Sequence, residues 1–541
     1  MLIVRRGVLI LLTIVLVGYT YAGGKAKGLD RAVPERHRVY GIPVAVSQDV
    51  YGLNGYVSYF GIARRFFNDK SIDTILSQDL PKAANGKRVA EAVEDREHLF
   101  FIPADDKGDV TFTRMAFATF GLKLDSLYKL YFLLLLGSVA AFATVFYADI
   151  PKLLVGVCVL ISMFALMSAF QDGLLRPHVV TFYDVRVFGV VAVLAAFHVA
   201  FISASNRKMS PVQIAATLYQ ILVILLAVHV RADNIWLVCA IVAWVGVSVF
   251  PGLSYRQLWP LATMAVIGGL FLAWERVTYH PKYFSTNLSH HLLWHNVAMG
   301  FALHPQLGKP YHFQISDEAT MRRVAQYLVA ANSSGTIAKV FGPAYSNATG
   351  TPEGATVSVE TFLNGASSDL NLYNQMARRI VLETARTHPL QTAKLFLYYK
   401  PRYILSHLLW FTAFLTYDQP FLDATGHESA LLRAPGDVRT RLIYFTPLPA
   451  RGVLMLLLAF VAASPLPLRE ARKMLIAALG LFAFSLLPSL AAYPAPFLMG
   501  ETLFALTFVM CAGVVIAARA ISSIQWKSAA SIVADFAREA E

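Results

Sequence analysis

The chain reads as an all-α polytopic membrane protein with about 10–11 transmembrane helices and two external regions carrying short amphipathic helices. Three observations predict this class. Hydrophobic residues make up 56% of the 541 positions while charged residues make up only 15%. The mean hydropathy is +0.52. Apolar runs also recur at the length a bilayer requires. The formal net charge is +13, which in a soluble chain would suggest nucleic acid. Part of the excess falls at Arg5-Arg6, Arg207-Lys208, Arg256, Arg469, Arg472 and Lys473, where the positive-inside rule expects cytoplasmic loops. No zinc finger, basic helix or other nucleic-acid module is present, so no nucleic-acid partner is expected. Cys158, Cys239 and Cys511 each lie inside an apolar run, so the external loops must hold together without disulfides.

Residues 1–22 predict a first transmembrane helix or signal anchor, two arginines followed by the run Gly7 to Gly18. A cleaved signal peptide has the same pattern, and either way the chain is external from residue 25. Residues 23–126 form the first external loop, too polar to span. Val57, Phe60, Ala63 and Phe67 repeat at helical spacing, which predicts a short helix on the membrane surface with Asp49 at or before its N-terminus. Phe112, Met115, Ala116 and Phe120 predict a second such helix ending at Gly121. Between them runs Asp105-Asp106-Lys107-Gly108-Asp109. Carboxylates beside a membrane entry are desolvated and suited to proton transfer. The same residues also read as a solvated turn, and both readings stand.

Spans are expected at 127–147, 151–170, 187–204, 211–230, 235–250 and 260–277, making 127–277 a transmembrane bundle. The segment Gln171 to Arg186 is expected outside and carries Arg176, His178 and Arg186. These could bind an anionic headgroup or could snorkel as interfacial anchors. Residues 278–400 form a second external region. Ser316-Asp317-Glu318 precedes an amphipathic run with Met321, Val324, Leu328 and Val329; Ser368-Asp369 precedes another with Leu372, Met376, Ile380 and Leu382 inward, stopping near Pro389. In 401–521, a C-terminal transmembrane bundle, apolar runs lie at 403–417, 450–464, 474–492 and 500–520. Crossing with all four would put Arg469, Arg472 and Lys473 outside, so 403–417 is expected to be interfacial or re-entrant. Residues 522–541 read as a weakly amphipathic cytoplasmic tail.

His291 and His295 stand four apart beside Trp294, hence on one face if helical. No Glu sits where a metalloprotease helix needs its base, so a lipid-headgroup or sugar site is the better reading, with membrane anchoring the plain alternative. No serine-hydrolase elbow, phosphate-binding Gly-Lys-Ser/Thr loop or dinucleotide fingerprint is present. Within the spans the ionisable residues are few, His198 and His229 among them, which counts against proton pumps.

Asp49, Tyr56, Ala63-Arg64 and the segment Ala116-Phe117-Ala118-Thr119-Phe120-Gly121 leading into the second span resemble the GT-C glycosyltransferases, polytopic enzymes that use polyprenyl-phosphate-linked sugars. The resemblance covers about the first third of the chain, on loose motifs, and the proline-rich element frequent in that family is absent. It implies inverting transfer of a sugar from a membrane lipid-linked donor to a glycan, lipid or protein acceptor, in a bacterial inner membrane with the large loops in the periplasm. It implies Asp49 as base, with Asp105 or Asp106 as competitor or metal ligand. Arg176 and Arg186, then Lys400 and Arg402, would face the phosphate, and region 278–400 would shape the acceptor pocket. No cofactor is certain, and a divalent cation, Mg or Mn, is left open. The alternatives are a lipid or glycan transporter or flippase, and a non-catalytic envelope assembly protein.

Overall fold

The computed structural model describes residues 2–26, 107–121, 125–171, 187–205, 208–249, 255–278, 291–308, 370–406, 467–494 and 500–539, with residues 30, 42, 123, 313, 319–320, 323–324, 326–327 and 408. The surface helix expected after Asp49 and the apolar run 450–464 lie outside the described residues, as does most of 403–417. Of the described residues 91% are helical and none lies in a strand. Helices satisfy their own backbone donors and acceptors, which is what lipid demands of a spanning segment.

The elements, in order, are α1 (Leu2–Ala26), α2 (Lys107–Phe120), α3 (Ser126–Phe146), α4 (Ile150–Gln171), α5 (Gly189–Ser203), α6 (Pro211–Val230), α7 (Ile235–Val249), α8 (Tyr255–Thr278), α9 (His291–Gly300), α10 (Leu370–Thr387), α11 (Pro389–Lys394), α12 (Leu468–Ser485) and α13 (Gly500–Glu539). Among the described residues, five helices are long and apolar enough to cross a membrane: Ser126–Phe146, Pro211–Val230, Gln257–Trp274, Leu468–Ala491 and Gly500–Ile521. Shorter apolar helices lie at Ile10–Lys25, Ile150–Met163, Gly189–Ser203 and Ala232–Gly246. The protein is therefore a membrane-embedded all-α chain, and apolar side chains such as Leu133, Leu136, Val266, Leu270 and Leu272 stay exposed on its flanks.

Local chemistry sets the helix ends. At Ser210 a capping box forms with Gln213, and Pro211 occupies the first turn of α6. α2 ends at Gly121, whose φ of 84° only glycine adopts without cost. Its buried face is Val110, Phe112, Ala116 and Phe117, while Met115, expected inward, is exposed. α12 begins at Leu468, six residues ahead of the expected 474, because Pro467 caps the chain there and the Arg469, Arg472 and Lys473 stems extend the helix. α13 runs unbroken into the expected separate tail; no Gly or Pro follows Gly513 to stop it.

Lys152, at the start of α4, lies over the rings of Phe146 and Phe201 at the ends of α3 and α5. Together with the α12 basic residues these mark one end of the bundle. At the other, Tyr128 donates to Tyr21 O at 2.6 Å, joining the start of α3 to the end of α1. Polar pairs fasten the helices between. Gln220 donates to Ser138 O at 2.7 Å while the Ser138 hydroxyl donates back to the Gln220 side-chain oxygen, both residues being fully buried. Gly137, one residue earlier, admits the Tyr219 hydroxyl, which donates to Leu134 O at 3.0 Å. His198 pairs with Thr217 at 3.0 Å between α5 and α6.

A second apolar cluster gathers Val297, Ala298, Phe301, Phe313, Val324, Met376 and Ile380 where α9 packs on α10. The inward positions expected on α10 hold for Met376 and Ile380, whereas Val381 rather than Leu382 is buried. On its outer side Arg379 bonds Glu383 at 2.7 Å and Tyr327 donates to the same carboxylate.

The Ser138–Gln220 pair should be worth about 1 kcal/mol, as interhelical hydrogen bonds in lipid are. Gln220→Leu is expected to lower thermal stability in detergent by that order. Ser138→Ala combined with Gln220→Leu should cost less than the sum of the two single changes, which a double-mutant cycle reads directly.

Candidate functional site

The most polar buried region lies at the end of the bundle away from Lys152 and the α12 basic residues, where α13 begins. Glu501, in its first turn, is 7% exposed. Its Oε1 accepts the Gly189 N–H at 3.0 Å, at the start of α5, and its Oε2 accepts the indole N–H of Trp236, at the start of α7. One carboxylate thus ties the N-termini of three helices, where helix dipoles favour negative charge. The short 3-10 turn Ala232–Asn234 supplies the rest. Asn234 is fully buried and its Nδ2 donates to Ala227 O at 2.9 Å, near the end of α6. Arg231 bonds Asp233 at 2.6 Å, and both lie close enough to act on Glu501 electrostatically. Tyr131 of α3, also fully buried, lies within electrostatic range of Glu501.

α2 closes this end. Gly108 rests on the backbone of His229 and Val230 so tightly that an added Cβ would lie 2.0 Å from His229 O. Thr111 Oγ1 meets His229 Nε2 at 3.0 Å. Phe112 packs edge-on against Phe188, the residue before Gly189, at 4.8 Å, and Tyr131 meets the same ring at 5.8 Å. Asp109, one turn before Phe112, is fully buried. The solvated-turn reading is thereby corrected for the end of that acidic stretch: Lys107, Gly108 and Asp109 are helical, and Asp109 is inside. Glycine at 108 lets α2 approach the end of α6 closely enough to carry Asp109 in.

No family model, no curated protein and no solved structure matches the chain. The site is read from its own chemistry.

Of the residues singled out by sequence, Asp49, Asp105, Asp106, Arg176, His178 and Arg186 lie outside the described residues. His291 opens α9, with its side chain outside the description, and His295 is buried on that helix at 3% exposure. Beside it, Arg378 of α10 lies over the Trp294 ring at 5.7 Å. Arg402 is exposed and donates to the Tyr398 hydroxyl at 2.9 Å.

Lys400, offered by sequence as a phosphate ligand, is fully buried. A π turn at Leu395–Tyr399 resets the helix face just before it. Its ammonium donates to Leu490 O at 3.0 Å, Ala491 O at 3.4 Å and Ala492 O, the carbonyls that end the turn Leu487–Ala491. A phosphate would have to displace these acceptors, so the residue reads as a cationic cap joining the α9–α10 cluster to α12. Burial pushes its ammonium down from its ordinary value to about 7.

The residues that sequence reasoning missed are Glu501, Asn234, Trp236 and the Arg231–Asp233 pair. A lone acid in the first turn of an apolar run, and Arg231-Ala232-Asp233-Asn234 between two spans, were the available signals. For a divalent cation, no group of three or more His, Cys, Asp and Glu side chains gathers among the described residues.

A methyl group at Gly189 would lie 2.2 Å from Glu501 Oε1 and 2.4 Å from Asn234 Oδ1. Gly189→Ala is therefore expected to cost about 1–3 kcal/mol, seen as a lower melting midpoint in detergent. Lys400 generates a pH signature. Between about 7 and its ordinary 10.5 the unfolded chain holds a proton that the folded chain has released, so its contribution to stability rises with pH across that window. Replacing Lys400 with Met should remove that component of the rise, which thermal melts across the window would measure.

Proposed function

We propose that the chain is a GT-C-like, inverting membrane glycosyltransferase that moves a sugar from a polyprenyl-phosphate donor to a glycan, lipid or protein acceptor. Its setting in this reading is a bacterial inner membrane with the large loops in the periplasm. One observation carries it: Asp233 and Glu501, acids far apart in the chain, gather with Arg231 at the bundle end opposite the basic one, the end on which α2 packs with its buried Asp109. By the positive-inside rule, the basic end is cytoplasmic and the polar end external. That is where a lipid-borne phosphate headgroup would sit beside the entry of α2 into the bundle.

The chemistry is a single displacement. An acceptor hydroxyl attacks the anomeric carbon, a carboxylate takes the hydroxyl proton, and the bond from the sugar to the phosphate oxygen breaks with the electron pair leaving on the phosphate. Asp49 is the base in this reading, with Asp105 or Asp106 as competitor, while Arg176 and Arg186, with Arg231 as a further candidate, stabilise the departing phosphate.

A second reading, a lipid or glycan transporter, draws support from Glu501, because a buried acid inside a bundle is a common coupling group. Membranes carrying the full-length protein, given a radiolabelled polyprenyl-phosphate sugar, separate the two. The enzyme releases free polyprenyl phosphate, and Asp49→Asn or Asp106→Asn, expressed normally, lowers the release by about 100-fold or more, the usual scale for losing a general base. Unchanged release in both variants sinks the enzyme assignment, and movement of an intact donor across vesicles establishes the transporter.

A further inference from the structure

The contact between Glu501 and Asn234 has a missing proton in it. The Asn234 side chain cannot be turned over, because its Nδ2 donates to Ala227 O at 2.9 Å and an oxygen placed there would face another oxygen. Its Oδ1 is therefore held on the other side, over the Cα of Gly189, buried and without a hydrogen-bond donor. Glu501 Oε1 occupies the same place: one point, the site of a Cβ on Gly189, lies 2.4 Å from Asn234 Oδ1 and 2.2 Å from Glu501 Oε1. Two buried acceptor oxygens thus crowd the same space beside one glycine. Left so, they would repel in a medium of low dielectric, where an unmatched polar atom costs about 1–3 kcal/mol.

We infer that Glu501 and Asn234 form a proton-binding site: the Glu501 carboxyl carries a proton and donates it to Asn234 Oδ1. Oε2, which accepts from Trp236, is then the carbonyl oxygen of a neutral acid, and Oε1 is its hydroxyl, still accepting the Gly189 N–H. A proton suits the place better than a metal ion. Both carboxyl oxygens already accept an N–H, and Ca or Mg would need about six oxygen ligands. Among the described residues, the charged or titratable groups facing the pair are Asp233 and Arg231 on the link after α6, and Tyr131 on α3. Asp109 of α2 is buried at the same end of the bundle. The facing end of α12 offers the Ser485 carbonyl, which accepts from Thr502 at 2.9 Å, and α4 meets α13 through Cys158 and Cys511, nearly three turns away. Asp233 and Arg231 are paired with each other. The uncompensated contact is the one with Asn234. Losing the proton would put a carboxylate against an amide oxygen at the junction of α5, α7 and α13, so proton occupancy and the packing of those helix starts are linked.

The test is infrared spectroscopy of the full-length protein in lipid nanodiscs at neutral pH. The expected result is a carboxylic-acid carbonyl band that shifts in heavy water, disappears in Glu501→Gln, persists in Asp109→Asn and moves to higher frequency in Asn234→Ala, which removes the acceptor. Glutamate-selective carbon-13 labelling of the wild-type protein would move the same band, so the experiment survives a variant that fails to fold. If labelling moves no carboxylic-acid band at neutral pH, or Glu501→Gln leaves the band in place, Glu501 is ionised and the site does not exist. A Glu501 band unmoved by Asn234→Ala would overturn the shared proton.

Discussion

A buried carboxyl in the first turn of α13 holds the bundle end together. Glu501 has no local partner within its own helix; its partners are the first backbone N–H of α5 and the indole of α7. Helix N-termini expose unsatisfied donors, and in a dry interior they must find an acceptor or cost several kcal/mol. The same carboxyl that satisfies them also fixes which helices begin together. Gly189 is demanded by that arrangement, because any larger residue would fill the space where the carboxyl and the Asn234 amide meet.

The fold was legible where the signal was apolar length. The spans expected at 127–147, 211–230 and 235–250 coincide with Ser126–Phe146, Pro211–Val230 and Ile235–Val249 to within a residue at each end, since hydropathy alone decides what can stay in lipid. Helix ends at polar residues were less legible. Arg469, Arg472 and Lys473 read as a loop by charge, yet their aliphatic stems let α12 continue through them. The end of α2 was clear because Gly121 is a local conformational signal, whereas the inward set on α2 and α10 was off at Met115 and Leu382. Those two choices depend on what the helix meets, and a period cannot supply its neighbours.

The candidate site was legible only in part, for a physical reason. Sequence draws the eye to local clusters such as Asp105 to Asp109, because proximity along the chain is visible. A site assembled by packing instead takes single residues from distant elements, and Glu501, Asn234 and Trp236 each look unremarkable in their own segment. The cue that survives is energetic: an acid inside an apolar run must be matched or neutralised, so it marks a place where the structure has made an arrangement. Lys400 follows the same logic with the opposite sign. Sequence placed it at the mouth of an external region as a phosphate ligand, but a buried ammonium needs acceptors, and three backbone carbonyls at the end of a helical turn provide them.

These two buried polar groups divide the work of joining parts. Lys400 and Gly300 set the α9–α10 cluster on the carbonyls after α12, while α2 lies on His229 and Phe188. Both α2 and the α9–α10 cluster are thus clamped to the bundle by close backbone approaches. An acid carried on a flexible loop would have to be ordered anew each time it met a substrate, at the entropic cost of every residue immobilised. Asp109 avoids that cost because Gly108 lets its helix lie directly on α6.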